Sequence, residues 1–181
     1  MAGKRVHLEG RVRLVRRQNR RDGRDLALSG RAMKASDLKA VLAFWKATPG
    51  IGLNESDTIP ALKLFLGRNP GLSLVVTAGK KIIGAVLCGH DGRRGYLHHL
   101  AVAPSHRGRG LGSSMAEECL KTLKLSGITR CNIFVFADNR PVRRFWEGGG
   151  WKVRGDLLVL QTETRVPKGC GGGCSGKCSS C

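Results

Sequence analysis

The run HHLAVAPSHRGRGLGSSM, positions 98–115, holds two adjacent histidines, His98 and His99, and then a ladder of arginine and glycine: Arg107, Gly108, Arg109, Gly110 and Gly112. Imidazoles titrate near neutral pH and suit proton transfer. The ladder suits an anion. A strand-like LAVA stops at Pro104, and a helix-like LGSSMAEECLKTL starts at Leu111. The first N–H groups of a helix have no intrahelical acceptor, and its dipole places about half a positive charge there. Glycines let an anion come close, and Arg107 and Arg109 add charge fit for a diphosphate.

Two familiar phosphate loops do not fit. A Walker loop needs a lysine before its Ser or Thr, whereas Gly112 is followed directly by Ser113. A dinucleotide fingerprint places its third glycine three residues after the second, and Gly108-x-Gly110-x-Gly112 is one short. A glycine turn that serves structure alone is the remaining alternative.

These residues need a scaffold. Residues 26–165 alternate in pattern: strands at 26–33, 72–78, 82–89, 96–103, 129–137 and 157–162, and helices at 36–47, 59–67, 111–125 and 139–149. Ser36 is the expected N-cap of the first helix. The order β-α-α-β-β-β-α-β-α-β predicts an α/β domain, a mixed and mostly antiparallel sheet with helices on both faces. Asp91, in HDGRRG, reads as a turn residue. Trp45, Trp146 and Trp151 read as packing, as do Cys88, Cys119 and Cys131.

The chain has 181 residues, with 32 Lys and Arg against 13 Asp and Glu, a formal net charge of +19. One domain suits this length, and the charge suggests an anionic partner. No apolar run approaches the ~18 residues of a membrane span, and the N-terminus lacks an apolar signal region. The expectation is a soluble cytoplasmic protein. Residues 1–25 hold nine Lys and Arg against three acids and read as a basic flexible extension. A nucleic-acid arm is the sharper alternative, though no aromatic residue is there to stack on bases. Residues 166–181 form a Gly/Ser/Cys tail. Its Cys170, Cys174, Cys178 and Cys181 could wrap a metal, or form a thiol-rich tail with no such role.

VAPSHRGRGLGSSM resembles the acetyl-CoA motif of the GNAT N-acetyltransferases, Arg/Gln-x-x-Gly-x-Gly/Ala, as Arg107-x-x-Gly110-x-Gly112. NRPVRRFWEGGGW resembles the family's following helix, with Asn139, Val142, Phe145, Trp146, Gly150 and Trp151 in register. The wider run from Cys88 to Gly112 is similar to the YpeA-like bacterial subgroup. The resemblance covers about residues 26–162. It implies the GNAT fold and transfer of an acetyl group from acetyl-CoA, as cosubstrate, directly to a primary amine. It implies that the backbone of Leu100, Ala101 and Val102 pairs with the pantetheine arm beside a strand that splays away. It makes Arg107, Gly108, Arg109, Gly110, Leu111, Gly112 and Ser113 the pyrophosphate loop and Asn139 a polar contact to the pantetheine.

The chain departs from the family at two catalytic positions. Trp146 stands where many members have a tyrosine acid, and Phe134 where the ribosomal-protein alanine acetyltransferases have a glutamate base. Both point away from protein N-terminal acetylation. The base candidates left are His98, His99 and Glu55, and strand alternation puts the two histidines on opposite faces. No metal is required for this chemistry. The expected acceptor is an amine-bearing small molecule or peptide, and the expected state a monomer or homodimer. Two competing readings are a GNAT-fold CoA sensor without turnover and a basic nucleic-acid-binding protein.

Overall fold

A computed structural model describes residues 28–163. The basic extension and the cysteine tail, with the metal reading of Cys170, Cys174, Cys178 and Cys181, lie outside the described residues. Five strands form one sheet in the order β1 (Leu28–Ala32), β2 (Leu74–Ala78), β3 (Lys81–His90), β4 (Gly95–Val102) and β5 (Cys131–Ile133). Strands β1 to β4 pair antiparallel in succession, and β5 runs parallel to β4. Helices α1 (Leu38–Lys46) and α2 (Ile59–Arg68) follow β1; α3 (Leu111–Leu125) links β4 to β5; α4 (Arg140–Gly148) follows β5. No helix among the described residues is long and apolar enough to cross a membrane.

The sheet is buried on both faces. Leu38, Val41 and Trp45 of α1 and Leu62 of α2 pack on Ala85, Leu87 and Ala101. Leu111, Met115, Cys119 and Leu123 of α3, with Trp146 of α4, pack on Val86, Cys88 and Leu97. Leu125, the last residue of α3, is exposed. The turn between β3 and β4 is held by Asp91 Oδ1, which accepts the N–H groups of Arg93 and Arg94 at 2.7 and 2.6 Å.

Three local expectations change. Ser36 does not cap α1. It lies in a short 3-10 turn, Ala35–Asp37, where Asp37 Oδ2 accepts the Lys34 N–H at 2.8 Å while its carboxylate pairs with Arg31. The strand expected over 129–137 is paired only from Cys131 to Ile133. No strand forms at 157–162: Leu157, Leu158, Val159 and Leu160 are exposed. Apolar content gives strand propensity, but a strand also needs an edge to pair with, and β5 offers only three residues.

Candidate active site

Strands β4 and β5 pair at Gly95–Cys131, Tyr96–Asn132 and Leu97–Ile133 and then part. Beyond Leu97, β4 keeps β3 on one side and has no strand on the other among the described residues. Every other residue from His98 to Val102 therefore directs its N–H and C=O into a gap between strands. Leu100, Ala101 and Val102 line this edge with their backbone. Their side chains go to the sheet faces, Leu100 and Val102 toward the α3 side and Ala101 into the α1 side.

A β-bulge shapes the mouth of the gap. Ala85 pairs with Ala101 and Leu87 with His98, so His99 and Leu100 together oppose Val86. His99 is the only non-glycine residue with positive φ among those described, at 53°. An L-residue in this left-handed region costs about 1–2 kcal/mol. The extra residue breaks alternation, which corrects the expectation that the two histidines face opposite ways. Both lie on the α1/α2 face: His98 against Phe65 of α2, and His99 against Trp45 of α1 with centroids 5.1 Å apart.

His99 Nε2 lies 2.8 Å from Asp57 Oδ1, and both side chains are largely buried. Asp57 sits in the loop between α1 and α2, and its Oδ2 accepts the Asn54 N–H at 2.9 Å. Sequence reading chose Glu55 from this loop. Glu55 is exposed in a turn, and the acid that reaches the histidines is Asp57. Spacing gave no signal for it, because an irregular loop has no period to say which carboxylate turns inward. The loop leans on the segment after β5, where Gly52 lies so close to Phe136 that a Cβ would fall 2.7 Å from the ring.

His98 lies beside Tyr96 and Phe134, at 6.2 and 6.3 Å, and those two rings are 6.5 Å from each other, so the three form a cluster. Burial pushes the His98 imidazole below its ordinary value; His99 adds to this, and Asp57 works against it. Phe134 is an exposed ring on this shelf.

On the other side, α3 begins at the arginine–glycine turn. Ser114 is the first residue to donate a helical bond, to Gly110 O at 3.0 Å. The N–H groups of Leu111, Gly112 and Ser113 thus precede the helical ladder. Gly108 and Gly110 have φ of 71° and 76°, and nothing lies within 4 Å of a Cβ built on either. Arg109 is exposed, and Arg107 donates from Nε to Val102 O at 2.9 Å, tying the turn to the end of β4. Leu111 puts its side chain in the core, so only its backbone faces the turn. Gly112 lies beneath Phe145, where a Cβ would come within 3.3 Å of the ring, and Ser113 is exposed.

Asn139 caps α4, its Oδ1 accepting the Val142 N–H at 3.3 Å, and its Nδ2 faces Gly50. Trp146 is buried between Phe145 and Trp151, edge to face with each. It is a packing residue, as read from the sequence, and so are Trp45 and the buried thiols of Cys88 and Cys119. Cys131 is half-buried, and burial pushes its thiol up to about 12. No group of three or more His, Cys, Asp or Glu among the described residues is placed to hold a metal ion.

The chain belongs to the acetyltransferase (GNAT) family, whose model matches residues 39–150. It is similar to an acetyltransferase of Yersinia enterocolitica, 31% identical over 129 residues, covering 71% of this chain and 91% of that one. An acetyltransferase of Sodalis glossinidius is 26% identical over 130 residues, covering 72% and 91%. Among solved structures, the PaiA N-acetyltransferase of Thermoplasma acidophilum in complex with coenzyme A matches with a TM-score of 0.62 at 22% identity, over 71% of this chain and 91% of that one. A Clostridium acetobutylicum acetyltransferase solved with acetyl-CoA matches at 0.55 and 19%, over 74% and 96%.

Proposed function

We propose that this protein is an acetyl-CoA-dependent N-acetyltransferase that moves the acetyl group directly to a primary amine on a small molecule or peptide. The observation that carries this reading is the unpaired edge of β4 from His98 to Val102, which ends at the arginine–glycine turn. The residues present fit the cosubstrate. A pantetheine arm carries amides that can bond to a free strand edge, and the turn gathers N–H groups and arginine charge for a pyrophosphate. Bound acetyl-CoA would supply the acetyl thioester. Two complexes in the same fold, with coenzyme A and with acetyl-CoA, support the assignment.

In this reading Arg107 to Ser113 hold the pyrophosphate, Leu100 to Val102 and Asn139 orient the pantetheine, and a free β4 N–H offers a hydrogen bond to the developing oxyanion. The amine approaches from the α1/α2 face. There it loses a proton to an imidazole, with His99 the better-held candidate and His98 its neighbour on the shelf. No cysteine need act, because the amine attacks the thioester itself. The similarity of residues 88–112 to the YpeA-like subgroup, the placement of 26–165 as the catalytic domain and a cytoplasmic location belong to this same proposal.

Isothermal titration with CoA tests the cleft: binding at micromolar to submillimolar Kd is expected, and its absence would sink the reading. Thiol release against an amine panel then separates an enzyme from a CoA sensor. The sensor reading is favoured by one specific feature, the Phe134 and Trp146 positions, which lack the usual proton-transfer groups.

A further inference from the structure

We propose that Asp57 is a positioning residue that fixes the His99 imidazole in the tautomer with its proton on Nε2, leaving Nδ1 as the atom that accepts the amine proton. This rests on the acetyltransferase reading above.

Three independent restraints converge on His99. Its backbone is held at φ 53° in the bulge. Such a conformation persists only where its surroundings enforce it, and it gathers at functional sites. Its ring packs against Trp45, which is fully buried. Its Nε2 meets Asp57 Oδ1 at 2.8 Å. An ionised carboxylate only accepts, so the shared proton sits on Nε2 and the lone pair on Nδ1. No described residue bonds to Nδ1. The carboxylate is itself anchored, since Oδ2 takes the Asn54 N–H at 2.9 Å and the Asp57 N–H bonds back to Asn54 O at 3.0 Å. The α1–α2 loop thus presents one oxygen to the imidazole and cannot rotate it away without breaking its own turn.

The proton balance is simple. The ammonium form of the acceptor gives one proton to Nδ1. The free amine then forms the C–N bond, the C–S bond breaks, and the second amine proton ends on the thiolate sulfur. The imidazolium that forms is stabilised by Asp57 and returns its proton to solvent. The titratable groups facing His99 are Asp57 from the loop and His98 from its own strand, and His98 in turn meets the Tyr96 phenol ring, stacked at 6.2 Å. The elements packed around the pair contribute Trp45, Phe65 and Phe134, none of them charged.

Asp57→Asn makes a discriminating variant. Its amide oxygen must turn toward the Asn54 N–H, so its NH2 meets Nε2 and drives the proton to Nδ1, the wrong tautomer. Loss of a positioned base costs roughly 10²–10⁴-fold, so kcat at saturating acetyl-CoA should fall at least ten-fold, with the CoA Kd and Tm little changed. Removing the negative charge also disfavours the imidazolium, so the rising limb of kcat/KM against pH should move to lower pH. Asp57→Glu, which keeps the charge, should hold the limb near its original position. Nitrogen-15 NMR of the wild type should show the His99 proton on Nε2. An Nδ1-protonated wild type, or an Asp57→Asn variant with unchanged kcat and an unmoved limb, overturns the proposal. Failure of the wild type to bind CoA would overturn the underlying acetyltransferase reading, and this proposal with it.

Discussion

His98 and His99, neighbours in the chain, turn to the same face of the sheet with ring centroids 6.3 Å apart. A regular strand would send them to opposite faces. The bulge opposite Val86 supplies the extra residue that brings both imidazoles to the α1/α2 side.

The pair should make folding sensitive to acid. Burial, then the proximity of His99, hold the His98 value below that of a free imidazole, against the opposing pull of Asp57. The unfolded chain therefore binds more protons than the folded one just below about pH 6.5. This contribution to stability is complete above that pH and declines as pH falls toward the lowered folded value. Tm measured from pH 7.5 to pH 5 should decline, and His98→Gln should flatten the decline over that window.

Gly110 caps α3 with φ 76° and open space around its Cβ position. Gly110→Ala should cost about 1–2 kcal/mol through the left-handed conformation. It should weaken CoA by more than the stability loss implies, because a relaxed turn would re-aim the N–H groups of the helix start. Thermal melts and calorimetric titration on the same variant would check the two effects separately.

Arg109 is exposed, and its side chain makes no hydrogen bond or ion pair with the described residues. Arg109→Gln should leave Tm unchanged. A charge-assisted hydrogen bond contributes about 1.5–3 kcal/mol, so the CoA Kd should rise roughly ten- to hundred-fold, less so at high salt. An unaltered Kd at low ionic strength would remove Arg109 from the pyrophosphate site.

Trp146 is 8% exposed and wedged between Phe145 and Trp151. Trp146→Ala should cost about 3–5 kcal/mol as a large core truncation, a Tm loss of about 10 °C or more. Trp146→Phe, which keeps an aromatic wedge, should lose much less. Differential scanning calorimetry of the two variants would decide whether this position acts as packing.

The sequence alone determined the order of elements from Leu28 to Gly148 and the glycine turn before α3. Local signals carry these features: helical spacing at Leu38, Val41 and Trp45, a turn acid at Asp91, and glycines where φ must be positive. The tertiary structure decided what depends on pairing and on irregular backbone. Whether 129–137 stays paired is settled by where β4 and β5 diverge, at Leu97 and Ile133, and no residue type announces that point. The apolar run at 157–160 had strand composition but no edge to join. The bulge overrode alternation at His99, because one inserted residue shifts every later side chain relative to the preceding ones. Glu55 and Asp57 are chemically equal in the sequence. Only the turn closed by Asn54 sends one to water and the other to the imidazole, since a loop's side chains are aimed by its own hydrogen bonds rather than by any period.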